Sequence, residues 1–118
     1  MKIIEKKSFK GLFSEKKYQK DALIHKLKGE TYNKPSRTTI EIGKDIHIDD
    51  NYGIYMNHSF SPNCIIKNGC IVAIKNININ EELTFNYNEN ETSMAIPFVD
   101  NITKKKVSGK VNKNSKTL

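Results

Sequence analysis

At 118 residues the chain has material for one small domain and none for a second. Hydrophobic residues make up 36% of it, below the usual globular share, so the core has to come from the richer middle. No apolar run is long enough to span a membrane, and the net charge of +7 is carried by the end of the chain: residues 104–118 hold six lysines and no acid, while residues 1–103 hold 14 basic and 13 acidic side chains.

Long helical periodicity is absent, and short β-type runs broken by turn residues predict a mainly β domain. Lys2–Ser8 reads as a first strand. Ala22–Leu27 is a short apolar stretch ended by Gly29, and residues 33–37 form a loop. Thr38–Asp49 predicts a hairpin. A three-residue turn, Gly43-Lys44-Asp45, pairs Ile42 with Ile46 and Ile40 with Ile48, gathering four isoleucines on one face. A two-residue turn at Gly43-Lys44 would scatter them, so the first register is expected.

Cys64–Lys75 predicts a second hairpin, turned by Asn68-Gly69, a pair suited to positive φ at both turn positions. Ile66 then faces Ile71 and Ile65 faces Val72, which predicts a hairpin buried on both faces. Cys64 and Cys70 point to opposite faces, which argues against a disulfide between them. Residues 76–82 are a polar connection, and Leu83–Tyr87 reads as another strand. Apolar residues thin out after Asp100. The expected organisation is a domain over residues 1–100 and a lysine-rich tail over 101–118. Such a tail is usually solvated and mobile, and its alternative role is an arm for nucleic acid or acidic partners. Met1-Lys2-Ile3-Ile4-Glu5 becomes charged too soon for a secretion signal. With only two cysteines, this predicts a soluble, reduced, intracellular protein with no membrane contact.

Two segments concentrate polar and aromatic chemistry. Asn57-His58-Ser59-Phe60-Ser61-Pro62-Asn63 lies between apolar Ile54-Tyr55-Met56 and the second hairpin. Glu81-Glu82-Leu83-Thr84-Phe85-Asn86-Tyr87 sets an aromatic pair behind an acidic lead. Taken alone, the first is a polar loop whose side chains cap neighbouring strands. Tyr87 alone is a half-buried core tyrosine with a satisfied hydroxyl.

Together they resemble the Asn-His-Ser-x-x-Pro-Asn and Gly-Glu-Glu-Leu-Thr-Phe-Asp-Tyr motifs of the SET-domain methyltransferases, in order and spacing. Gly11-Leu12-Phe13-Ser14 is similar to the end of that family's Gly-x-Gly-Leu-Phe-Ala start, and Lys28-Gly29-Glu30 to the x-Gly-Glu that closes its next strand. The resemblance covers roughly residues 1–98, and residues 31–50 contribute little. It implies small curved sheets around a knot-like crossing, with little helix. It also implies protein-lysine N-methylation: S-adenosylmethionine on one side, a neutral lysine amine entering a narrow channel from the other, and in-line methyl transfer by proximity and orientation.

By the resemblance, Tyr87 is the catalytic tyrosine. Lys10, Gly11, Leu12, Asn57, His58 and Tyr87 hold the cofactor, and Phe98 covers its adenine. Phe85 and Leu27 line the lysine channel, and phenylalanine at 85 leaves room for several methyls. Some positions depart from the family. Phe9 replaces the first glycine of the cofactor loop, Leu27 a channel tyrosine, Asn86 an aspartate and Ile54 an arginine. Phe60 replaces a zinc-binding cysteine, and residues 97–110 contain no cysteine, so no zinc is expected. The implied partner is a lysine-bearing protein or peptide, for instance a histone-like one, and a homodimer is left open. A non-catalytic SET-like binding module is the alternative function. A small nucleic-acid binder would rest on the tail alone. A Cys-His hydrolase built on His58 and Cys64 lacks an orienting group and an oxyanion signature.

Overall fold

The computed structural model describes residues 1–91, 98–99, 106–107 and 109. Strand β1 (Lys2–Lys6) turns back at once into β2 (Phe9–Phe13), with Ile4 opposite Gly11. The first strand is therefore shorter than expected, and β2 was not foreseen: Phe9-Lys10-Gly11 carries no alternating pattern, and β1 supplies the pairing.

Strand β3 (Leu23–Lys26) leads to β4 (Gly29–Tyr32), then the hairpin β5 (Ile40–Gly43) and β6 (Ile46–Asp50). The order β4-β6-β5 makes an antiparallel sheet. Gly29 has φ +155°, and a Cβ there would sit 1.9 Å from the carbonyl oxygen of Asp49. Only glycine allows β4 to start so close to β6.

The β5–β6 register corrects one expectation. Ile40 does face Ile48, but Gly43 faces Ile46 and the register shifts between Glu41 and Gly43. The turn is the tighter Lys44-Asp45, with Asp45 at φ 56°. Asp tolerates that left-handed conformation, and Ile42 is taken up in the irregularity. The four-isoleucine face therefore does not form: Ile40 and Ile48 are buried while Ile46 is exposed. Instead Glu41 and His47, cross-strand partners, are buried on the other face.

Asp50 ends β6 and anchors the next segment. A 3-10 helix, Gly53–Tyr55, leads to the two-residue strand β7 (Asn57–His58). The hairpin β8 (Cys64–Lys67) and β9 (Cys70–Ala73) follows, and β3 joins it through β9. Here Ile66 faces Ile71 and Ile65 faces Val72, with positive φ at Asn68 and Gly69, as expected. Only one face is buried, however. Cys64, Ile71 and Ala73 are fully enclosed, whereas Ile65 and the neighbouring Leu23 of β3 are exposed. β3 extends the sheet sideways and leaves its outer face uncovered. Both thiols are free.

Ile77 is buried and pairs across to Tyr18, while Ile79 is exposed. The Leu83–Tyr87 segment also differs from expectation. Strand β10 covers only Thr84–Phe85, and Tyr87 opens a short helix, α1 (Tyr87–Asn90). Asn86 is the N-cap, its side chain accepting from Asn88 N at 2.9 Å. That capping bond ends the strand. β11 (Phe98–Val99) pairs with β12 (Lys106–Val107). Val107 is buried, and Asn88 bonds the backbone of both Lys106 and Gly109. The fold therefore takes in part of the segment expected to be a tail. Among the described residues no helix is long and apolar enough to cross a membrane.

The core joins these small sheets through Leu12, Leu27, Ile40, Ile48, Met56, Ile71, Ile77, Leu83 and Phe85. Asp50 braces one side of it. Its Oδ1 accepts from Tyr52 N and Gly53 N at 2.8 and 2.7 Å, and its Oδ2 meets Lys28 N and His25 Nε2 at 2.8 and 2.9 Å. Burial works to raise the Asp50 pKa, but the Lys28 and Gly53 amides, His25 and the Tyr52 amide together hold it below the ordinary carboxylate value. Its contribution to stability is thus present above the unfolded-state pKa of about 3.9 and is lost as the pH falls through the lower folded value. Asp50→Asn, which puts an NH2 or a single acceptor where two are used, should cost about 2–3 kcal/mol in urea unfolding at neutral pH.

Candidate active site

The two polar motifs meet as a parallel pair. Thr84 lies opposite Asn57 and Phe85 opposite His58, and Ser59 N donates to Phe85 O at 3.1 Å. Parallel pairing of strands this short needs outside support. Asn63 supplies it. The Asn63 Nδ2 donates to Glu81 Oε2 at 2.8 Å and to Glu82 O at 2.7 Å, and its Oδ1 accepts from Thr84 N at 2.9 Å. The side chain is 6% exposed, so little water is at hand to replace those bonds.

The cofactor-loop residues expected at the start of the chain come to the same place. Leu83 N donates to Leu12 O at 2.8 Å. The Asn57 Nδ2 donates to Lys10 O and to Glu82 Oε2, both at 2.7 Å. A Cβ on Gly11 would meet Glu82 Oε2 at 2.8 Å and the Phe9 ring at 2.9 Å, so a side chain there would push on the ends of both side chains. Phe9 stacks edge-on against Phe13. Lys10 Nζ lies over the Tyr55 ring, 5.8 Å from its centroid.

Tyr87 sits where α1 begins. Its hydroxyl donates to Met56 O at 2.5 Å, and its amide donates to His58 Nδ1 at 3.0 Å. His58 therefore carries its neutral-form proton on Nε2. The His58 ring packs edge-on against Phe60 and Tyr87, and Phe85 is tilted against Tyr87 with centroids 4.7 Å apart. Phe60, at the place of the expected cysteine, thus fills an aromatic cluster. Burial pushes the Tyr87 pKa well above the ordinary phenol value, and the negative charges of Glu91 and Glu82 add to it. Tyr87 stays a neutral hydroxyl across the physiological range. Burial likewise pushes the Cys64 thiol up to about 12, which leaves no thiolate for a hydrolase.

Sequence reasoning thus named Lys10, Gly11, Leu12, Asn57, His58, Phe85 and Tyr87, and the fold gathers all seven. Leu27 is buried against Ile40 and Gly53 in the core. Phe98 pairs through its backbone with Val107, and its side chain lies outside the described residues. The connecting roles of Asn63, Glu82 and Met56 were not foreseen. Asn63 and Glu82 stood in the motifs as letters, but a carbonyl acceptor such as Met56 O leaves no trace in a sequence.

Among the described residues no cluster of three or more His, Cys, Asp or Glu side chains is placed to hold a metal ion. Lys10 O and the Glu82 carboxylate both accept from the Asn57 amide, which ties β2, β7 and the second motif together.

A SET-domain family model matches residues 3–88. The chain belongs to the SET-domain family. Solved structures agree on the fold. One match is ctPRC2 in an autoinhibited conformation bound to S-adenosylmethionine, with a TM-score of 0.55 and 20% identity over 88% of this chain. Another is a humanized mutant of the Chaetomium thermophilum Polycomb Repressive Complex 2 bound to an inhibitor, with a TM-score of 0.53 and 19% identity over 88% of this chain. The present chain covers only 19% and 18% of those two chains. No curated protein matches.

Asn63→Ala removes three hydrogen bonds and leaves Thr84 N and Glu82 O without that partner. It should cost about 3 kcal/mol by chemical denaturation. Asn63→Asp should cost at least as much, because a carboxylate cannot donate to Glu82 O.

Proposed function

We propose that this chain is a protein-lysine N-methyltransferase that uses S-adenosylmethionine. The observation that carries the reading is the placement of Tyr87. One parallel strand pair sets its hydroxyl on Met56 O and its amide on His58, beside Phe85. A motif match alone would not require those groups to converge.

In this reading Lys10, Gly11, Leu12, Asn57 and His58 hold the cofactor, with the Glu82 carboxylate beside its positive charge. S-adenosylmethionine supplies the activated methyl group. The remaining work falls to the chain. The Tyr87 hydroxyl commits its hydrogen to Met56 O, which leaves its oxygen the acceptor role toward a substrate amine. An amine N–H held there turns its lone pair toward the cofactor, which is catalysis by orientation. Buried Phe85 keeps the approach apolar, so that desolvation lowers the lysine pKa and favours the neutral nucleophile. It brings no hydroxyl or fixed water, so the amine can turn after a first methylation and accept another. Two free thiols suit a reducing, intracellular setting, and a basic, histone-like protein suits the acidic surroundings.

The test is label transfer from methyl-labelled S-adenosylmethionine to a panel of basic proteins. Tyr87→Phe keeps the ring and should reduce transfer at least about 100-fold, with a stability loss of only about 1–2 kcal/mol for the missing bond to Met56 O. A panel that never takes label sinks the proposal, and a fully active Tyr87→Phe removes that residue from the chemistry. Because Tyr87 remains protonated, the wild-type rate should climb as the substrate amine loses its proton. It should show no fall from tyrosine ionisation below pH of about 10; a falling limb near neutrality would contradict the assigned role.

A further inference from the structure

The outer face of the sheet β3-β9-β8 is apolar along its middle and cationic at one end. Leu23, Val72 and Ile65 lie side by side across its three strands. Leu23 is 62% exposed and Ile65 36%, and Val72 is half-buried. Lys26 and Lys67 stand on either side of Cys70, one row further along, and both are exposed. None of the residues of β3, β8 and β9 is acidic. Adjoining apolar side chains left open to water mark a contact surface where scattered single ones do not, because covering them lowers the free energy in proportion to area.

The sheet β4-β6-β5 presents the opposite charge. Glu30 faces Asp49 across β4 and β6, and Tyr32 follows on the same side of β4. All of β4 is exposed, and Asp49 is half-buried. The strands β4, β5 and β6 contain no lysine or arginine. Both carboxylates accept from hydroxyls, Glu30 from Tyr32 at 2.8 Å and Asp49 from Thr38 at 3.3 Å. A neutral hydroxyl leaves their charge in place, and each keeps lone pairs for further donors. Among the described residues β3 and β4 are both edge strands, and an edge is the side of a sheet most open to a second chain.

We infer that these two patches associate between copies of this chain, the cationic apolar face of one molecule covering the acidic face of another. The inference does not depend on the methyltransferase reading. A second copy fits because one molecule carries both halves. Lys26 and Lys67 match Glu30 and Asp49 in number and are opposite in sign, and the exposed Tyr32 ring offers apolar cover to Leu23, Val72 and Ile65. The face of β3-β9-β8 does not suit a contact with itself, because lysines would meet lysines. The contact is therefore between unlike surfaces. Exposed ion pairs add little attraction each, so the apolar cover supplies most of it and the charges select which surface is covered.

The test is sedimentation velocity of the full chain over a concentration series, with reductant present so that no Cys70 cross-link contributes. At about 100 μM in low salt the mean mass should exceed that of the monomer. Raising the salt to about 0.5 M should weaken the association at least about tenfold. Two charge-reversed proteins then identify the surfaces: Lys26→Glu with Lys67→Glu, and Glu30→Lys with Asp49→Lys. Each alone sets like charges against each other and should stay monomeric, and the two mixed in equal amounts should associate again. Leu23→Ser removes apolar cover without touching a charge and should weaken association of the otherwise unchanged chain at least about fivefold. An unchanged Tm checks the folding of each variant, and the salt series needs no variant at all. A chain that is monomeric at every concentration overturns the inference and leaves the face to a foreign partner. Association that persists in high salt or in either reversed protein alone overturns it too, as does a mixture of the two that stays monomeric.

Discussion

Asn63 is the residue on which the geometry of the site depends. Its buried amide ties Glu81, Glu82 and Thr84 of the second motif to the end of the first. Its backbone oxygen accepts from Ile74 N, at the exit of the second hairpin. Three chain segments within residues 63–84 are thereby held in one register. The strand pair they hold is two residues long and parallel, too short to persist by itself. Tyr87 inherits its position from that register, because the Asn86 cap fixes where the strand stops and the helix starts.

Asp50 plays the matching part on the other side. Its carboxylate accepts the amides that start the 3-10 turn, and that turn delivers Met56. The carbonyl of Met56 is the partner of the Tyr87 hydroxyl. A carboxylate that braces the fold therefore lies a few residues from the atom that orients the tyrosine. Charge-assisted bonds to backbone amides are the stronger class, which suits a task where a small displacement would be costly. The chains matched in the solved structures are about five times longer than the part covered here.

Local chemistry made much of this legible. Asn68-Gly69 dictates its own turn, and the pairing of Ile65 and Ile66 follows from it. The seven residues that the fold gathers around Tyr87 were named through motif resemblance, which carries information that no propensity holds. Other features were hidden because another segment decides them. The β5–β6 bulge depends on how Asp45 turns, and the helical start at Tyr87 depends on a cap that could equally have continued a strand. Glu41 and His47 look like an outward polar face, yet the packing around them buries both. The lysine-rich end looks like tail throughout, yet Asn88 and β11 draw Lys106 and Val107 into the fold.

By itself the sequence determined the β character of the chain, the tight Asn-Gly hairpin and the residue types of the site, since each rests on neighbours in the chain or on motif identity. Only the tertiary structure decided which carbonyl meets the Tyr87 hydroxyl and which carboxylates are buried. Those depend on atoms brought together from distant segments, and burial and hydrogen bonding across such distances leave no local pattern to read.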